Sequence, residues 1–187
     1  YPGRESLCGL SVIGDDVYTL GQNRDGEGFS LRRNGEEVIV RRTGTVLGPL
    51  REVGDSVSFA FYDMISSSSG SIARYYAAKG GKVTQIAVRD DVVRVWDAIC
   101  TEDSVIYLAT LTGVGTPVLF KGDQMTALPL LKGAVPISAL LHHDNEQTCV
   151  EIICRMGTLV FTSILKMDGR IVKTFDSGLA ISSLKIL

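Results

Sequence analysis

Two short sequence markers recur along this chain at nearly the same interval, and they constrain its fold more than any other feature. The first is an acidic turn leading into a valine-led strand, with valines 40, 48 and 45 residues apart at positions 17, 57, 105 and 150. The second is a dipeptide that favours tight hairpin turns. Its copies are 46, 42 and 46 residues apart, at Asn34-Gly35, Gly80-Gly81, Gly122-Asp123 and Asp168-Gly169. A shared interval of about 45 residues predicts a repeated supersecondary unit.

Each repeat is predicted to contain four short strands. Runs rich in Val, Ile, Phe, Tyr and Thr end at Gly, Asp or Asn, and helical periodicity is almost absent. Residues 72–79, whose composition would also suit a helix, are predicted as strand. The innermost strand of each repeat, such as 7–13 and 137–141, is strongly apolar and is expected to be buried on both faces.

Four-stranded repeats of about 45 residues are typical of β-propeller blades. We therefore predict an all-β, β-propeller-like fold forming a single domain over residues 1–187. It is either an incomplete ring or a compact variant of four or five parts. The predicted repeats span 7–48, 49–91, 92–133 and 134–178, and one spare strand follows at 179–187.

The segment from Asp15 to Val38, D-D-V-Y…F-x-L-R-R-N-G-E-E-V, resembles repeats of bacterial propeller-like proteins of the Bacteroides type. The resemblance rests on strand and turn patterning over residues 7–187. It implies an exported or lipid-anchored protein of the cell envelope, whereas a chain outside that group is expected to be cytoplasmic. The second and fourth repeats depart from the pattern, since Ser58 and Glu151 replace the tyrosine that follows the valine. The WD40 signature is imitated only locally, around Trp96.

Charge and hydrophobicity exclude several classes of protein. The chain has 19 basic and 21 acidic residues, a formal net charge of −2 and 45% hydrophobic residues. This composition argues against disorder and against a nucleic-acid or anionic-membrane partner. No apolar run approaches the roughly 18 residues that span a bilayer, and the first residues lack the pattern of a signal peptide. We expect neither a membrane span nor a signal peptide in this chain.

The four cysteines do not form a C-x-x-C motif, which argues against a zinc ribbon or a thioredoxin-like site. Cys149 and Cys154 are five residues apart in one predicted strand, so their side chains should point to opposite faces. We expect Cys8, Cys100, Cys149 and Cys154 to be small buried hydrophobic residues. Disulfides in a secreted chain remain an alternative.

Motifs for catalysis or metal binding are scarce. His142 and His143 are adjacent and should point to opposite faces of a strand, which disfavours a shared metal. The chain has no G-x-S-x-G, G-x-G-x-x-G or P-loop motif. We predict no cofactor and no metal. Six acidic turn residues are expected on one rim of the fold: Asp15, Asp16, Asp55, Glu102, Asp103 and Asp144. One interpretation is a face that binds cations or basic partners. We favour the other, simple turn chemistry, because Asp is common in turns.

Binding is expected at the opposite rim, which is formed by the loops after the second and fourth strands of each repeat. The candidate residues there are Arg24, Asp63, Arg89 and Trp96, because exposed Trp and Arg often anchor interfaces. The main hypothesis is a non-enzymatic binding or scaffold module that recognises a protein or a glycan.

Two alternatives stay open. One is a glycan-active hydrolase or lyase, which needs a pair of inner-strand carboxylates, and those strands carry almost none. The other is a structural segment that completes a larger propeller together with a partner chain or a further segment.

Overall fold

A computed structural model describes residues 5–68, 70–144 and 147–175, and within these ranges the protein contains strands but no helix. Sixteen strands form four four-stranded antiparallel sheets, each built from strands consecutive in sequence. The all-β prediction with four four-stranded repeats is confirmed, including a strand where 72–79 was predicted. The spare strand predicted at 179–187 lies outside the described residues.

The first sheet contains β1 Glu5–Ile13, β2 Asp16–Asn23, β3 Phe29–Arg33 and β4 Glu36–Arg41. The second contains β5 Thr45–Val53, β6 Ser56–Ser67, β7 Gly70–Lys79 and β8 Lys82–Gln85. The third contains β9 Val92–Cys100, β10 Val105–Leu111, β11 Pro117–Lys121 and β12 Gln124–Ala127. The fourth contains β13 Val135–Asp144, β14 Gln147–Met156, β15 Leu159–Lys166 and β16 Ile171–Phe175.

The chain divides into two compact units. Unit 1 comprises residues 1–88 and 99–103, and unit 2 comprises residues 89–98 and 104–187. Unit 1 therefore holds the first two sheets together with the turn that follows β9, and unit 2 holds most of the last two sheets.

The core of unit 1 lies between its two sheets. Phe29 of the first sheet meets Phe59 edge-on at 5.4 Å between ring centroids, and Phe61 at 4.7 Å. The inner strands approach closely at Gly9, where a side-chain Cβ would lie 2.5 Å from the Cβ of Leu50. Only glycine fits this contact, because nonbonded carbon atoms prefer about 3.5–4.0 Å.

The inner strand β1 differs from the expectation of burial on both faces. Leu10 and Val12 are 60% and 54% exposed, while Ser11 between them is buried. The reason is that one face of the first sheet packs on the second sheet, whereas Leu10 and Val12 lie on its other face. In β13, Ile137 is also half exposed.

Unit 2 contains a second core and a buried carboxylate that links two inner strands. Tyr107 and Phe120 stack at 4.6 Å between centroids. Asp97 of β9 is fully buried and accepts hydrogen bonds from the backbone N–H groups of Ala98 and Leu141, each at 2.8 Å. These bonds satisfy the carboxylate and attach β9 to β13.

The adjacent histidines of β13 bind different partners. His142 Nε2 lies 2.6 Å from Glu151 Oε2, and His143 Nδ1 lies 2.9 Å from Thr148 Oγ1. Because neighbouring strand residues point to opposite faces, the two imidazoles do not share a ligand position.

The expectation of four buried cysteines is wrong for half of them. All four are described and are free thiols, but Cys8 is exposed and Cys100 is only partly buried. Cys8 lies at an irregularity in the pairing of β1 with β2, between Leu7 and Gly9. Among the described residues, no helix has the length and apolar character needed to cross a membrane.

Candidate functional site

The β6–β7 hairpin extends beyond the rest of the second sheet. Strand β5 pairs with β6 only as far as Tyr62, and β8 pairs with β7 only from Tyr76 onward. The hairpin continues past these points, with pairs from Asp63–Arg74 to Ser67–Gly70. Residues 63–67 and 70–74 thus form a two-stranded ribbon, which we call the ribbon. The loop expected after the second strand of this repeat is therefore mostly strand.

The ribbon exposes apolar side chains on both faces and has no charge near its tip. Met64 and Ile72 are 58% and 56% exposed. The sequence from 64 to 73, MISSSSGSIA, contains neither a charged residue nor a proline. Natural proteins usually protect exposed strand edges with such residues, because an unprotected edge pairs with other chains.

The base of the ribbon is fixed by an ion pair whose carboxylate is buried and whose guanidinium is partly exposed. Asp63 is 7% exposed, and its Oδ2 accepts a 2.6 Å hydrogen bond from Arg41 of the first sheet. The Arg41 guanidinium also lies over the rings of Phe61 and Tyr76, at 5.5 and 5.8 Å. The ribbon is therefore attached to both sheets of unit 1.

The second carboxylate oxygen of Asp63 faces a glycine. This Oδ1 atom is buried without a hydrogen-bond partner, and a Cβ at Gly44 would lie only 2.8 Å from it. Gly44 has φ +110°, in the region that side chains rarely adopt. The missing side chain lets the β4–β5 connection pass directly over Asp63.

The β2–β3 loop is bound to the same connection by one side chain. Gln22 Nε2 donates to the carbonyl oxygens of Gly28 at 2.6 Å and Gly44 at 3.2 Å, and its Oε1 accepts from the Val46 amide at 2.8 Å. The loops after β2 and β4 therefore lie at one end of unit 1, next to the base of the ribbon. Their geometry is held by hydrogen bonds before any partner binds.

Two of the predicted rim residues lie at this end. Arg24 is exposed in the β2–β3 loop, where Asp25 Oδ1 accepts a hydrogen bond from the Glu27 amide. Asp63 lies within β6 and is buried, so it supports the rim instead of forming a contact surface.

The other two predicted rim residues belong to unit 2 and have partners there. Arg89 forms a double hydrogen bond with Asp91, at 3.0 and 2.8 Å. Trp96 donates from Nε1 to Thr110 Oγ1 at 2.8 Å, and the Arg94 guanidinium lies 3.8 Å from its ring centroid. Arg24 and Asp63 are thus brought to one end of unit 1, and Arg89 and Trp96 are placed separately in unit 2.

Contrary to the expectation of almost none, the inner strands carry carboxylates, and each one below is bound by neighbouring groups. Glu5 accepts from Arg32 at 2.7 Å and from Ser30 at 3.2 Å, which lowers the pKa of its carboxyl, mainly through the Arg32 hydrogen bond. Glu52 accepts from Ser11 at 2.8 Å. Asp97 accepts from two backbone amides, so each of these three carboxylates is occupied by hydrogen bonds within the chain.

The acidic turns are partly neutralised by the chain itself. Asp16 pairs with Arg33, whose hydrogen bond lowers the pKa of the Asp16 carboxyl. Glu102 lies 3.7 Å from Lys79. In the part of the chain that the structure describes, no group of three or more His, Cys, Asp or Glu side chains is placed to hold a metal ion.

Sequence reasoning missed Gln22, Arg41 and the ribbon itself. The serine-rich run at 66–69 has the composition of a flexible linker. Ile65 and Ile72, which pair across the two strands, were the available signal for a hairpin. Gln22 and Arg41 had no signal, because their partners are distant in sequence.

No model of a known protein family matches this chain. Over 100 residues the chain is 32% identical to a 3-isopropylmalate dehydratase small subunit of Clavibacter michiganensis subsp. michiganensis (strain NCPPB 382). The match covers 50% of this chain and 48% of that protein, so the chain spans about half the length of this curated relative. That extent does not assign the chain to a family.

Proposed function

We propose that this chain is a non-enzymatic protein-binding module, and that the ribbon binds an extended segment of its partner by strand addition. The observation that carries the proposal is the projection of residues 63–67 and 70–74 beyond the sheet. In strand addition, backbone hydrogen bonds along an open edge provide affinity, and alternate side chains provide specificity.

The ribbon's composition supports this role. An isolated two-stranded hairpin is marginally stable in water, and a third strand with an apolar face stabilises it. Met64 and Ile72 present apolar surface to such a strand, and no charge between 64 and 73 opposes its approach. The Arg41–Asp63 pair holds the base, so a binding segment would not have to order the whole element.

The test is selection from a displayed library of random peptides against the purified protein. We expect wild type to enrich peptides that alternate apolar and polar residues. Ile72→Lys, which places a charge on the ribbon, should weaken their binding about tenfold or more. Ser66→Pro, which interrupts backbone pairing in β6, should do the same.

Val93→Lys is the matched control. Val93 is a 65% exposed strand residue in unit 2, so the variant adds the same charge to a similar site. Its peptide affinity should equal that of wild type. The proposal fails if both lysine variants lose affinity equally, or if a glycan array gives binding that Ile72→Lys leaves unchanged.

A second candidate is a structural segment that completes a larger propeller, supported by the open apolar face of the first sheet. Leu10, Val12 and Val40 on that face are each more than half exposed. The occupant would be a four-stranded sheet of another chain, packed as the second sheet packs on the other face. Sedimentation equilibrium of the purified chain tests its simplest form, a second copy. Self-association that Leu10→Lys abolishes supports it, and a monomer at all concentrations contradicts it.

A further inference from the structure

A cleft in unit 1, away from the ribbon, has a lining typical of anion sites. Its volume is about 420 Å³, and it lies at the end of the second sheet where β7 turns into β8. The turn after β9 forms its other wall. This volume falls in the range of small-ligand pockets, roughly 300–1,000 Å³.

Two lysines stand side by side in the cleft. Lys79 and Lys82 are directly opposite each other in the β7–β8 ladder, across the Gly80-Gly81 turn. Like charges at directly opposed positions are destabilising. A ligand carrying two negative charges would convert this repulsion into attraction.

The carboxylate of Glu102 holds Lys79 only weakly. Glu102 Oε1 is 3.7 Å from Lys79 Nζ, longer than a hydrogen bond, and the Glu102 side chain is 74% exposed. Exposed pairs of this kind contribute little. An incoming anion can therefore displace Glu102 from Lys79 at small cost.

The remaining lining is small and able to donate hydrogen bonds. The hydroxyl residues Ser56, Thr84 and Thr101 lie on the wall. Ser58, which pairs with Lys79 on the same face, uses its Oγ to accept from the Cys100 amide at 2.9 Å and thereby fixes the opposite wall. Burial raises the pKa of the Cys100 thiol, so this residue is uncharged at neutral pH and does not repel an anion.

We propose that this cleft binds a phosphate group, with the ammonium groups of Lys79 and Lys82 contacting its oxygens and the wall hydroxyls donating to it. Lysine serves phosphate as a point charge. The cleft is larger than a phosphate ion, so the group is expected to belong to a small phosphorylated molecule. This site is separate from the ribbon and does not depend on the protein-binding proposal.

The test is titration calorimetry with two probes, inorganic phosphate and glucose 6-phosphate, at about pH 7.5, where both are mostly dianions. We expect saturable binding at one site per chain. Lys82→Gln and Lys79→Gln should each weaken binding about five- to tenfold, whereas Glu102→Gln should tighten it about two- to fivefold by removing the competing carboxylate. Lys121→Gln, which neutralises an exposed lysine of β11, is the matched control and should leave binding unchanged.

The two probes separate the possible sources of the group. Tighter binding of glucose 6-phosphate supports a phosphorylated ligand, and equal affinities support free phosphate. A second readout is alkylation of Cys100, which the bound probe should slow in wild type but not in Lys82→Gln. The proposal is overturned if neither probe saturates, or if Lys82→Gln and Lys121→Gln have the same effect.

Discussion

Asn34 contacts Asp16 across the end of the first sheet, with 2.8 Å between Asn34 Nδ2 and Asp16 Oδ1. Asn34 Oδ1 also accepts a hydrogen bond from the Val17 amide at 2.8 Å. In the first sheet the two repeated sequence markers are therefore neighbours in space. In the second sheet the equivalent turn is attached likewise, since the Gly80 amide donates to the Val57 carbonyl oxygen at 2.8 Å.

Replacing Asn34 should destabilise the protein. Asn34 and Gly35 have φ +52° and +86°, as a type I′ turn requires. Asn34→Ala loses both side-chain hydrogen bonds and disfavours this backbone, so we expect a loss of about 1–2 kcal/mol in the free energy of unfolding. Urea unfolding measures it. Asn34→Gly, which keeps the backbone freedom, should lose less than Asn34→Ala, and the reverse order would contradict the account.

Removing the partner of Asp63 should cost more. Arg41→Met leaves a buried carboxylate whose Oδ1 already lacks a partner, and we expect a loss of about 2–4 kcal/mol. Replacing the carboxylate as well, in Arg41→Met/Asp63→Leu, should recover most of this loss. The double-mutant cycle in urea tests the claim, and additive losses would exclude a coupled pair.

Stability should fall in acid through Glu5. The hydrogen bond from Arg32 lowers the pKa of the Glu5 carboxyl below its ordinary value of 4.5. A carboxyl with a lowered pKa in the folded state contributes stability that is fully present above the unfolded pKa and is lost as the pH falls through the folded pKa. Glu5→Gln should therefore flatten the pH dependence of unfolding below pH 4.5. Glu37→Gln is the control, because Glu37 is 59% exposed and its contact with Arg32 is longer, at 3.5 Å. An equal effect of the two variants would contradict the assignment of the pH dependence to Glu5.

The cysteines should react at different rates. Cys8 is exposed, whereas burial raises the pKa of Cys149 and of Cys154 to about 11. Because the thiolate is the reactive form, we expect Cys8 to react first with Ellman's reagent at neutral pH, Cys100 more slowly, and the buried pair only on unfolding. Cys8→Ser should remove the fast phase, and a fast phase that persists would contradict this order.

The sequence was sufficient to predict the four sheets because their signals are local. Turn dipeptides and alternating apolar residues act within one hairpin, and each sheet joins strands consecutive in sequence. The fourth strand of the second sheet, β8, ends at Gln85. Just after Gln85, the Ile86 amide still donates a hydrogen bond to the Tyr75 carbonyl oxygen of β7. Among the described backbone hydrogen bonds, this is the last one between that segment and β7.

The candidate site was less predictable because its contacts are long-range. Gln22 and Gly44 are 22 residues apart, as are Arg41 and Asp63. Nothing in the local pattern at Asp63 indicates an ion pair with the first sheet. The serines at 66–69 suggest flexibility when the pairing of β6 with β7 is unknown. The exposure of Leu10 was likewise not predictable from the sequence, because an apolar strand looks the same whether one or both of its faces are covered.

The most direct test of strand addition is amide hydrogen exchange, followed by NMR. Exchange rates of the free protein are compared with those of the protein bound to a peptide from the library selection. With strand addition, binding should protect alternate backbone amides along one edge of the ribbon, within 63–67 or 70–74, because every second N–H of an edge strand points outward. Protection confined to the loop that carries Arg24, or to unit 2, with the ribbon amides unchanged, would contradict it.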